Sequence, residues 1–316
     1  MDNTPQPESP CIGRADAAGI ARAARVLADG GLVAVPTETV YGLAARADSA
    51  DAVARIYRAK GRPDFNPLIV HVPDLAAAER LARFDGRARL LAHHFWPGPL
   101  TLVLPRRDEA GLAPAVTAGL PTVALRCPAH PAMRALLAAA ALPLAAPSAN
   151  RSGGVSPTTA QHVAASLGAR VDLIVDGGAC PRGLESTIVA LRDHGWDLLR
   201  PGPVTAGELE SLLGRPPGTG DGRIEAPGQL ASHYAPGKPV RLDAITPHPD
   251  EFHIGFGPVA GDVSLSPGGD HAEAAAALYA CLHLAAAAPQ PRVAVAPIPD
   301  SGLGAAINDR LRRAAA

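Results

Sequence analysis

The sequence predicts an α/β protein of two domains, a larger one built on a mixed sheet and a small second one. Short apolar runs bounded by Pro, Gly or charged residues, among them LVAVP, TLVLP, TVALR and DLIVDGG, are typical of strands. These runs outnumber the helical patterns and some follow each other directly, which favours a mixed sheet over a regular doubly wound one. Residues 215–239 are rich in Gly and Pro without apolar periodicity, so we expect them to link the two domains.

The first elements of the larger domain follow a flexible tail predicted for residues 1–14. A helix is expected around Asp16–Asp29, because a glycine pair that can end it comes next. A short buried strand over Leu32–Pro36 follows. The stretch Ser49–Lys60 has the apolar spacing of an amphipathic helix, which Gly61 ends.

Later elements of this domain include the strand-like runs PLIVHV, PLAAP, STIVALR and WDLLR. Ser156 followed by Pro157 predicts a helix start, with a capping hydroxyl and Pro at the first helical position. Thr205 and Glu208 have the spacing of a capping box for another helix. The larger domain is therefore expected to span residues 15–214.

The second domain is predicted over residues 240–316. Its strand-like runs are FHIGFG, DVSLS and VAVAPIP, and they alternate with helices expected over His271–Ala287 and Ala305–Ala315. This gives a small α/β unit of about half the usual domain size.

Composition excludes several classes of protein. With 47% hydrophobic and 19% charged residues, the chain of 316 residues is not extensively disordered. The 29 basic and 30 acidic residues give a net charge of −1, which disfavours a protein that coats nucleic acid or an anionic membrane. The first residues lack an apolar signal segment, and four distant cysteines form no C-x-x-C pair. We therefore expect a cytoplasmic protein without a membrane span, disulfide framework or structural zinc.

Several familiar catalytic motifs are absent. There is no G-x-x-x-x-G-K-[ST] loop, no G-x-S-x-G elbow and no H-E-x-x-H metal spacing. These absences disfavour a P-loop enzyme, a serine hydrolase of the elbow type and a zinc protease.

Cationic side chains provide more information. Lys60 and Arg62 flank the glycine that ends a helix, and two prolines stiffen the segment after them. Cations there complement a helix C-terminus, but two fixed cations also suit a polyphosphate. Arg126 lies in an apolar strand, where a buried arginine needs a carboxylate from the protein or from a ligand. His71, in another apolar strand, is either a ligand-binding group or a core histidine.

The stretch LAAPSANRSGGVSPTT combines small hydroxyls, a glycine pair and an expected helix N-terminus. Ser148, Asn150 and Ser156 could therefore form an anion site, although an ordinary strand–turn–helix connection has the same composition. The loop containing Thr39 follows a strand and either faces a ligand or is a locally bonded turn.

Taken together and in order, these motifs resemble the threonylcarbamoyl-AMP synthase family. PTETVYGL, KGRPDFNPLIVHV, FWPGPLTLVL, VALRCP, APSAN, ESTIV and LLRPG are similar to its catalytic domain across residues 15–214. PGQLASHYAP resembles the connecting tail of the two-domain members, while IGFG and GLGAAINDRLRRA resemble their second domain. The resemblance implies a mixed, twisted sheet with a deep cleft, and a small Rossmann-like C-terminal domain.

The family's activity is to convert L-threonine, bicarbonate and ATP into threonylcarbamoyl-adenylate, pyrophosphate and water. The resemblance implies this nucleotidyltransferase activity here, with Mg²⁺ accompanying ATP and no identified protein ligand for the metal. The product would pass to a separate tRNA threonylcarbamoyl transferase, which modifies the adenosine beside the anticodon. A weak contact with tRNA is an added expectation.

The resemblance also implies which residues bind each substrate. Catalytic roles fall on Lys60, Arg62 and Arg126. The L-threonine site comprises Thr39, His71, Arg126, the backbone of Ala146, and Ser186, with Arg126 pairing the threonine carboxylate. The ATP site comprises Lys60, Arg62, Asn66, Thr122, Ser148, Asn150, Ser156, Arg200 and Tyr234, where Tyr234 in the linker closes over the nucleotide as part of a lid.

Three alternatives remain at this point. A double-stranded RNA or ribosome-associated module would use the same basic pocket, but near-neutral charge disfavours it. A carbamoyl transferase that adenylates carbamoyl phosphate shares a related domain but carries zinc-finger modules, and this chain has no C-x-x-C pair. A structural scaffold leaves Arg126 without a reason to be in its strand.

Overall fold

A computed structural model describes residues 10–218, 223–230 and 232–316. The larger domain contains one ten-stranded sheet with strand order β1-β8-β2-β3-β7-β4-β6-β5-β9-β10. Its strands are β1 (Ile12–Arg14), β2 (Val33–Pro36), β3 (Tyr41–Arg46), β4 (Ile69–His71), β5 (Leu100–Pro105), β6 (Thr122–Arg126), β7 (Leu144–Ala145), β8 (Leu173–Asp176), β9 (Thr187–Arg192) and β10 (Gly195–Arg200). Parallel pairs such as β4–β6 occur beside antiparallel pairs such as β2–β3, which confirms the predicted mixed sheet.

Seven α-helices of this domain lie within the described residues. They are α1 (Ala17–Ala28), α2 (Ala50–Lys60), α3 (Leu75–Leu81), α4 (Gly86–Phe95), α5 (Pro131–Ala140), α6 (Ala160–Leu167) and α7 (Ala206–Leu213). The predicted helices α1, α2 and α7 are confirmed, as are the end of α2 at Gly61, which is left-handed, and the capping box formed by Thr205. The structure adds that Asp16 caps α1 and Ser49 caps α2.

Two predictions from local patterns are wrong. The helix expected at Ser156 begins instead at Ala160, capped by Thr159, and the Ser156 hydroxyl donates to the Glu185 carboxylate at 2.5 Å. A buried carboxylate is a strong acceptor, so the serine is used there and not as a helix cap. The predicted tail is also too long, because residues 12–14 form β1, parallel to β8. Residues 1–9 of that tail lie outside the described residues.

The C-terminal domain has a four-stranded, wholly parallel sheet with order β11-β14-β12-β13. Its strands are β11 (Val240–Arg241), β12 (Glu251–Gly255), β13 (Val263–Ser264) and β14 (Arg292–Val295), and its helices are α8 (His271–Ala287) and α9 (Leu303–Ala315). The small Rossmann-like domain is thus confirmed, with α8 at its predicted bounds and α9 starting two residues earlier than predicted. Within the described residues, no helix is both long and apolar enough to cross a bilayer.

The two domains share apolar packing. Val40, Val155 and Leu184 of the larger domain belong to the same buried cluster as Leu278 of α8 and Ile307 of α9. Burial of such side chains is a main source of stability, so the second domain is packed against the first and is not merely tethered to it.

Candidate active site

A cavity opens where several elements of the larger sheet end, and the linker closes its outer side. It corresponds to the predicted cleft. The residues that line it are Thr37, Thr39, Val40, Gly42, Arg62, Ile69, His71, Arg126, Ala146, Pro147, Ser148, Glu185, Arg200, Pro227, Gly228, His233 and Tyr234. Eight of the residues predicted from the sequence are in this wall: Thr39, Arg62, His71, Arg126, Ala146, Ser148, Arg200 and Tyr234.

The parallel register of β4 and β6 places His71 directly beside Arg126 at the ends of both strands. Arg126 is only 4% exposed, and its Nη2 donates to Glu38 Oε1 at 2.6 Å. Glu38 Oε2 accepts from the backbone N–H of Ala129 at 2.8 Å. Burial alone would raise the pKa of Glu38, but the Arg126 charge and these hydrogen bonds together lower it.

Glu38 therefore supplies, from the protein itself, the carboxylate that a buried arginine requires, and the predicted pairing of Arg126 with the threonine carboxylate stays a prediction. Within the described part of the chain, Arg126 Nη1 has no acceptor, so this nitrogen is free to bind a second carboxylate. The pair holds the guanidinium in place at the cavity wall.

His71 presents a neutral ring to the cavity. Burial, with a smaller effect of the Arg126 charge, lowers the pKa of His71 to about 3. Its Nδ1 is buried and has no partner among the described residues. Because an unpaired buried polar atom is costly, this nitrogen is suited to a hydrogen bond with a ligand.

Arg62 is fixed in the cavity wall by the loop that follows it. Its Nη2 donates to Asn66 Oδ1 at 2.7 Å and to the Pro67 carbonyl at 2.8 Å, while its Nε donates to the Asn66 carbonyl at 3.1 Å. Asn66 itself does not line the cavity. Its side-chain oxygen orients Arg62, and its predicted contact with ATP stays a prediction.

Lys60 has a related supporting position. Its buried Nζ donates to the carbonyls of Ser148 at 2.6 Å and Asn150 at 2.5 Å. These bonds tie the end of α2 to residues 147–150, here called the PSAN loop. Burial lowers the pKa of Lys60 well below its usual value. The Asn150 amide donates to the Gly154 carbonyl at 2.8 Å, whereas its Oδ1 is buried and unpaired among the described residues.

Arg200 is positioned by Ser186, which lies behind it. Arg200 donates from Nε to the Ser186 carbonyl at 3.0 Å and from Nη2 to the Ser186 hydroxyl at 3.1 Å. That hydroxyl also bonds Thr101 Oγ1 at 2.7 Å. Ser186, predicted to bind threonine, is therefore fully buried beside the cavity and not in its wall.

The linker supplies the outer wall of the cavity. Tyr234 is almost fully buried, and its ring stacks on that of Tyr279 with 5.7 Å between centroids and 29° between the ring planes. Gly228 has a φ of +86°, and an added Cβ would lie 2.8 Å from Arg200 Cδ. The linker backbone thus lies close to Arg200, whose Nη1 donates to the Pro227 carbonyl at 3.4 Å. The predicted lid movement stays a prediction.

One predicted ATP residue lies elsewhere. Thr122 is the first residue of β6, and Arg126 is the last, so the two are about 13 Å apart at the usual rise of a strand. Thr122 borders a separate surface depression with Pro105 and Leu191. A strand exposes only one of its ends to the cavity, and Thr122 is at the other end.

Local spacing in the sequence does not identify the partners of the buried charges. Glu38 and Arg126 are 88 positions apart, and Glu185 and Arg310 are 125 apart. Both glutamates are inside motifs noticed in the sequence, but no local spacing connects them to their arginines. The apolar surroundings of Arg126 were the one signal that a carboxylate must approach it.

A resident metal does not fit the described side chains. Among residues 10–218, 223–230 and 232–316, no group of three or more His, Cys, Asp or Glu side chains could hold a metal ion. The two glutamates beside the cavity are already paired with arginines.

Comparisons with known proteins identify the family. A model named for Sua5, YciO and YrdC and described as "Telomere recombination" matches residues 25–202, more than half of the chain. A second model, described as "Threonylcarbamoyl-AMP synthase, C-terminal domain", matches residues 204–316.

Named relatives agree with these models. The threonylcarbamoyl-AMP synthase of Bacillus subtilis is 48% identical over 71% of this chain, and that of Pyrococcus abyssi is 45% identical over 69%. In both cases the match spans 66% of the relative, just under two thirds of its length.

A solved structure extends the similarity to both domains. The crystal structure of P. abyssi Sua5 complexed with L-threonine is 36% identical, with a TM-score of 0.87 over 97% of each chain. The predicted resemblance is therefore confirmed, and the chain belongs to the threonylcarbamoyl-AMP synthase family, in its two-domain form.

Proposed function

We propose that this protein makes threonylcarbamoyl-adenylate from L-threonine, bicarbonate and ATP, releasing pyrophosphate. The observation that carries the proposal is the cavity wall, in which Arg62, Arg126 and Arg200 converge beside the neutral ring of His71. Three fixed guanidinium groups suit a site that binds a carboxylate and a triphosphate together. Relatives named for this activity, and a similar structure complexed with L-threonine, support the same assignment.

Threonine would bind at the ends of β4 and β6. Arg126, held by Glu38, would pair the threonine carboxylate through the nitrogen left free. His71 and the Thr39 hydroxyl line the same part of the wall and would orient the amine and the side-chain hydroxyl. Since His71 remains neutral near pH 7, it can accept a hydrogen bond without adding another cation.

ATP would bind toward the linker. Arg62 and Arg200 would contact the phosphates, and Lys60 would act by holding the PSAN loop that carries Ser148 and Asn150. The orphaned Asn150 oxygen would accept from the nucleotide or from water. Tyr234 would cover the bound nucleotide from the linker.

The chemistry balances without a covalent enzyme intermediate. The threonine amine attacks bicarbonate, a C–N bond forms, and water leaves to give a carbamate. A carbamate oxygen then forms a bond to the α-phosphorus as the α–β phosphoanhydride bond breaks, and pyrophosphate leaves. Such a transfer depends on alignment and on cations that meet the developing negative charge, which the arginines provide.

Magnesium enters this proposal only as the companion of ATP, and no step is assigned to a metal held by protein side chains. The adenylate product would be consumed by a separate tRNA threonylcarbamoyl transferase acting beside the anticodon.

The activity is tested by measuring pyrophosphate release from ATP while L-threonine and bicarbonate are omitted in turn, with mass spectrometry of the product. We expect release to require both co-substrates and to yield threonylcarbamoyl-adenylate. Release that needs neither co-substrate would contradict the proposal, as would bound ATP without turnover in the complete mixture.

A further inference from the structure

Glu185 places a carboxylate in the wall of a cavity otherwise dominated by cations. It immediately precedes Ser186 and β9, is 5% exposed, and lines the same space as Arg62 and Arg200. Burial alone would raise its pKa, but the charges of Arg310 and Arg200 and its hydrogen bonds lower the pKa of Glu185 to about 2. The group therefore carries a negative charge at neutral pH, beside the proposed phosphate site.

Among the described residues, two of the three side-chain hydrogen bonds to this carboxylate come from the C-terminal domain. Arg310 of α9 donates from Nε to Glu185 Oε2 at 2.9 Å, and the Tyr279 hydroxyl of α8 donates to the same oxygen at 2.7 Å. Ser156 of the larger domain donates to Oε1 at 2.5 Å. Arg310 has no exposed surface, so this ion pair is shielded from solvent.

Arg310 is itself fixed by groups of both domains. Its Nη2 donates to the Pro201 carbonyl at 2.8 Å, and its guanidinium lies 5.3 Å from the centre of the Tyr234 ring. Its Nη1 donates to Asp309 at 2.6 Å, and Asp309 also pairs with Arg313 at 3.1 Å. Because Asp309 is shared between Arg310 and Arg313, it does not neutralise Arg310 alone. Arg310 therefore remains a counter-charge for Glu185.

We propose that Arg310 is a positioning residue through which the C-terminal domain acts on the reaction: it neutralises Glu185 and prevents this carboxylate from repelling the triphosphate of ATP. The inference rests on the proposed function, because it assumes that the cavity binds ATP. Without Arg310, a buried carboxylate would face another anion across a medium of low dielectric constant, where like charges repel strongly.

The test is calorimetric titration of the full chain with ATP, with adenosine and with L-threonine. We expect Arg310→Met to weaken ATP binding about tenfold, or about 1.4 kcal/mol, and to leave adenosine binding nearly unchanged. Glu185→Gln, with Arg310 intact, should bind ATP more tightly than the wild type. The Glu185→Gln/Arg310→Met double variant should return to within about threefold of the wild type, because the charge and its counter-charge are removed together.

Arg312→Ala is the matched control, since this arginine of the same helix is largely exposed and its ion pair with Asp300, at 3.9 Å, lies at the surface. It should bind all three ligands as the wild type does. A purely structural role for Arg310 would weaken adenosine and ATP binding alike, with no rescue by Glu185→Gln, and that result would overturn the inference. If Arg310→Met does not fold, Glu185→Gln decides alone: unchanged or weaker ATP binding contradicts the proposal.

Failure of the proposed function gives a different result. A folded wild-type protein that does not bind ATP would refute the function itself. Wild-type ATP binding that Arg310→Met and Glu185→Gln leave unchanged would refute only the role of Arg310.

Discussion

Arg126 Nη2 lies 2.6 Å from Glu38 Oε1, and the two residues form a buried ion pair between β6 and the loop after β2. The second oxygen of Glu38 accepts the Ala129 N–H, so the carboxylate is fixed on both sides. Glu38 therefore sets the direction of the guanidinium, while the substrate would use the nitrogen that remains. Glu38 thus keeps the buried Arg126 paired when no anionic ligand is bound.

Glu38→Gln tests this positioning role. We expect KM for L-threonine to rise several-fold with a smaller change in KM for ATP, because the amide leaves Arg126 less firmly oriented. Steady-state pyrophosphate release with each substrate varied measures the two constants. Glu79→Gln, which affects an exposed pair with Arg89, should leave both constants unchanged. Equal increases for threonine and ATP in Glu38→Gln would argue against selective orientation of Arg126.

Arg126→Ala should remove threonine-dependent turnover while ATP binding persists. The truncation also leaves Glu38 buried and unpaired, at a cost of about 3–5 kcal/mol in the free energy of unfolding. The Glu38→Gln/Arg126→Ala double variant should recover much of that stability but no activity. ATP binding by calorimetry and unfolding by urea are measured on both variants. Normal threonine dependence in either one would reject the carboxylate-binding role.

Local signals in the sequence predicted the elements that depend on neighbouring residues. The glycine pair after α1, Gly61 at the end of α2 and the Thr205 capping box of α7 act within a few residues, so each of these helices was placed correctly. Helices α3, α4 and α5 were not predicted, since they are only 7 to 10 residues long and their periodicity is correspondingly weak. The Ser156 helix start failed because a distant carboxylate took the hydroxyl.

Site residues could be predicted from the sequence where a cationic side chain occurs among residues that are otherwise apolar, glycine or proline. Arg62 and Arg126 stand out against glycine, proline and apolar neighbours, and both line the cavity. Glu185 and Arg310 could not be paired from the sequence, because tertiary contacts between two domains bring them together. Thr122 was assigned to ATP by resemblance alone, and the length of β6 puts it away from the cavity.

The free energy of unfolding should fall as the solution is acidified from about pH 6.5. Burial lowers the pKa of His71 and of His233 to about 3, below the ordinary value of 6.5. Between these two values the unfolded chain binds protons that the folded chain does not bind. Each histidine removes up to about 1.4 kcal/mol per pH unit as pH falls from 6.5 toward 3. Glu185, with its pKa of about 2 against 4.5, adds a loss of stability only as pH falls below about 4.5.

Urea unfolding of wild type and His71→Asn at several pH values between 7.5 and 5 measures this effect. The variant should show a shallower dependence, by up to about one proton's slope. An unchanged slope in His71→Asn would mean that the buried neutral ring does not account for the loss.

Gly228→Ala and Gly237→Ala separate the close approach of the linker from backbone strain. Both glycines have positive φ, +86° and +78°, so alanine costs about 1–2 kcal/mol at either site. A Cβ at position 228 would lie 2.8 Å from Arg200 Cδ and 3.0 Å from the Tyr234 hydroxyl, whereas one at position 237 meets nothing within 4 Å. Only Gly228→Ala therefore requires the linker backbone or the Arg200 and Tyr234 side chains to move.

We expect Gly228→Ala to lower kcat/KM for ATP about tenfold or more, while Gly237→Ala loses stability but little activity. Pyrophosphate release and urea unfolding, measured on both variants, distinguish the two effects. The backbone penalty for replacing a glycine of positive φ is common to both positions. A difference in activity between the two variants would therefore come from the contacts of position 228 with Arg200 and Tyr234. Equal activities in the two variants would show that turnover does not require the linker backbone to approach these side chains so closely.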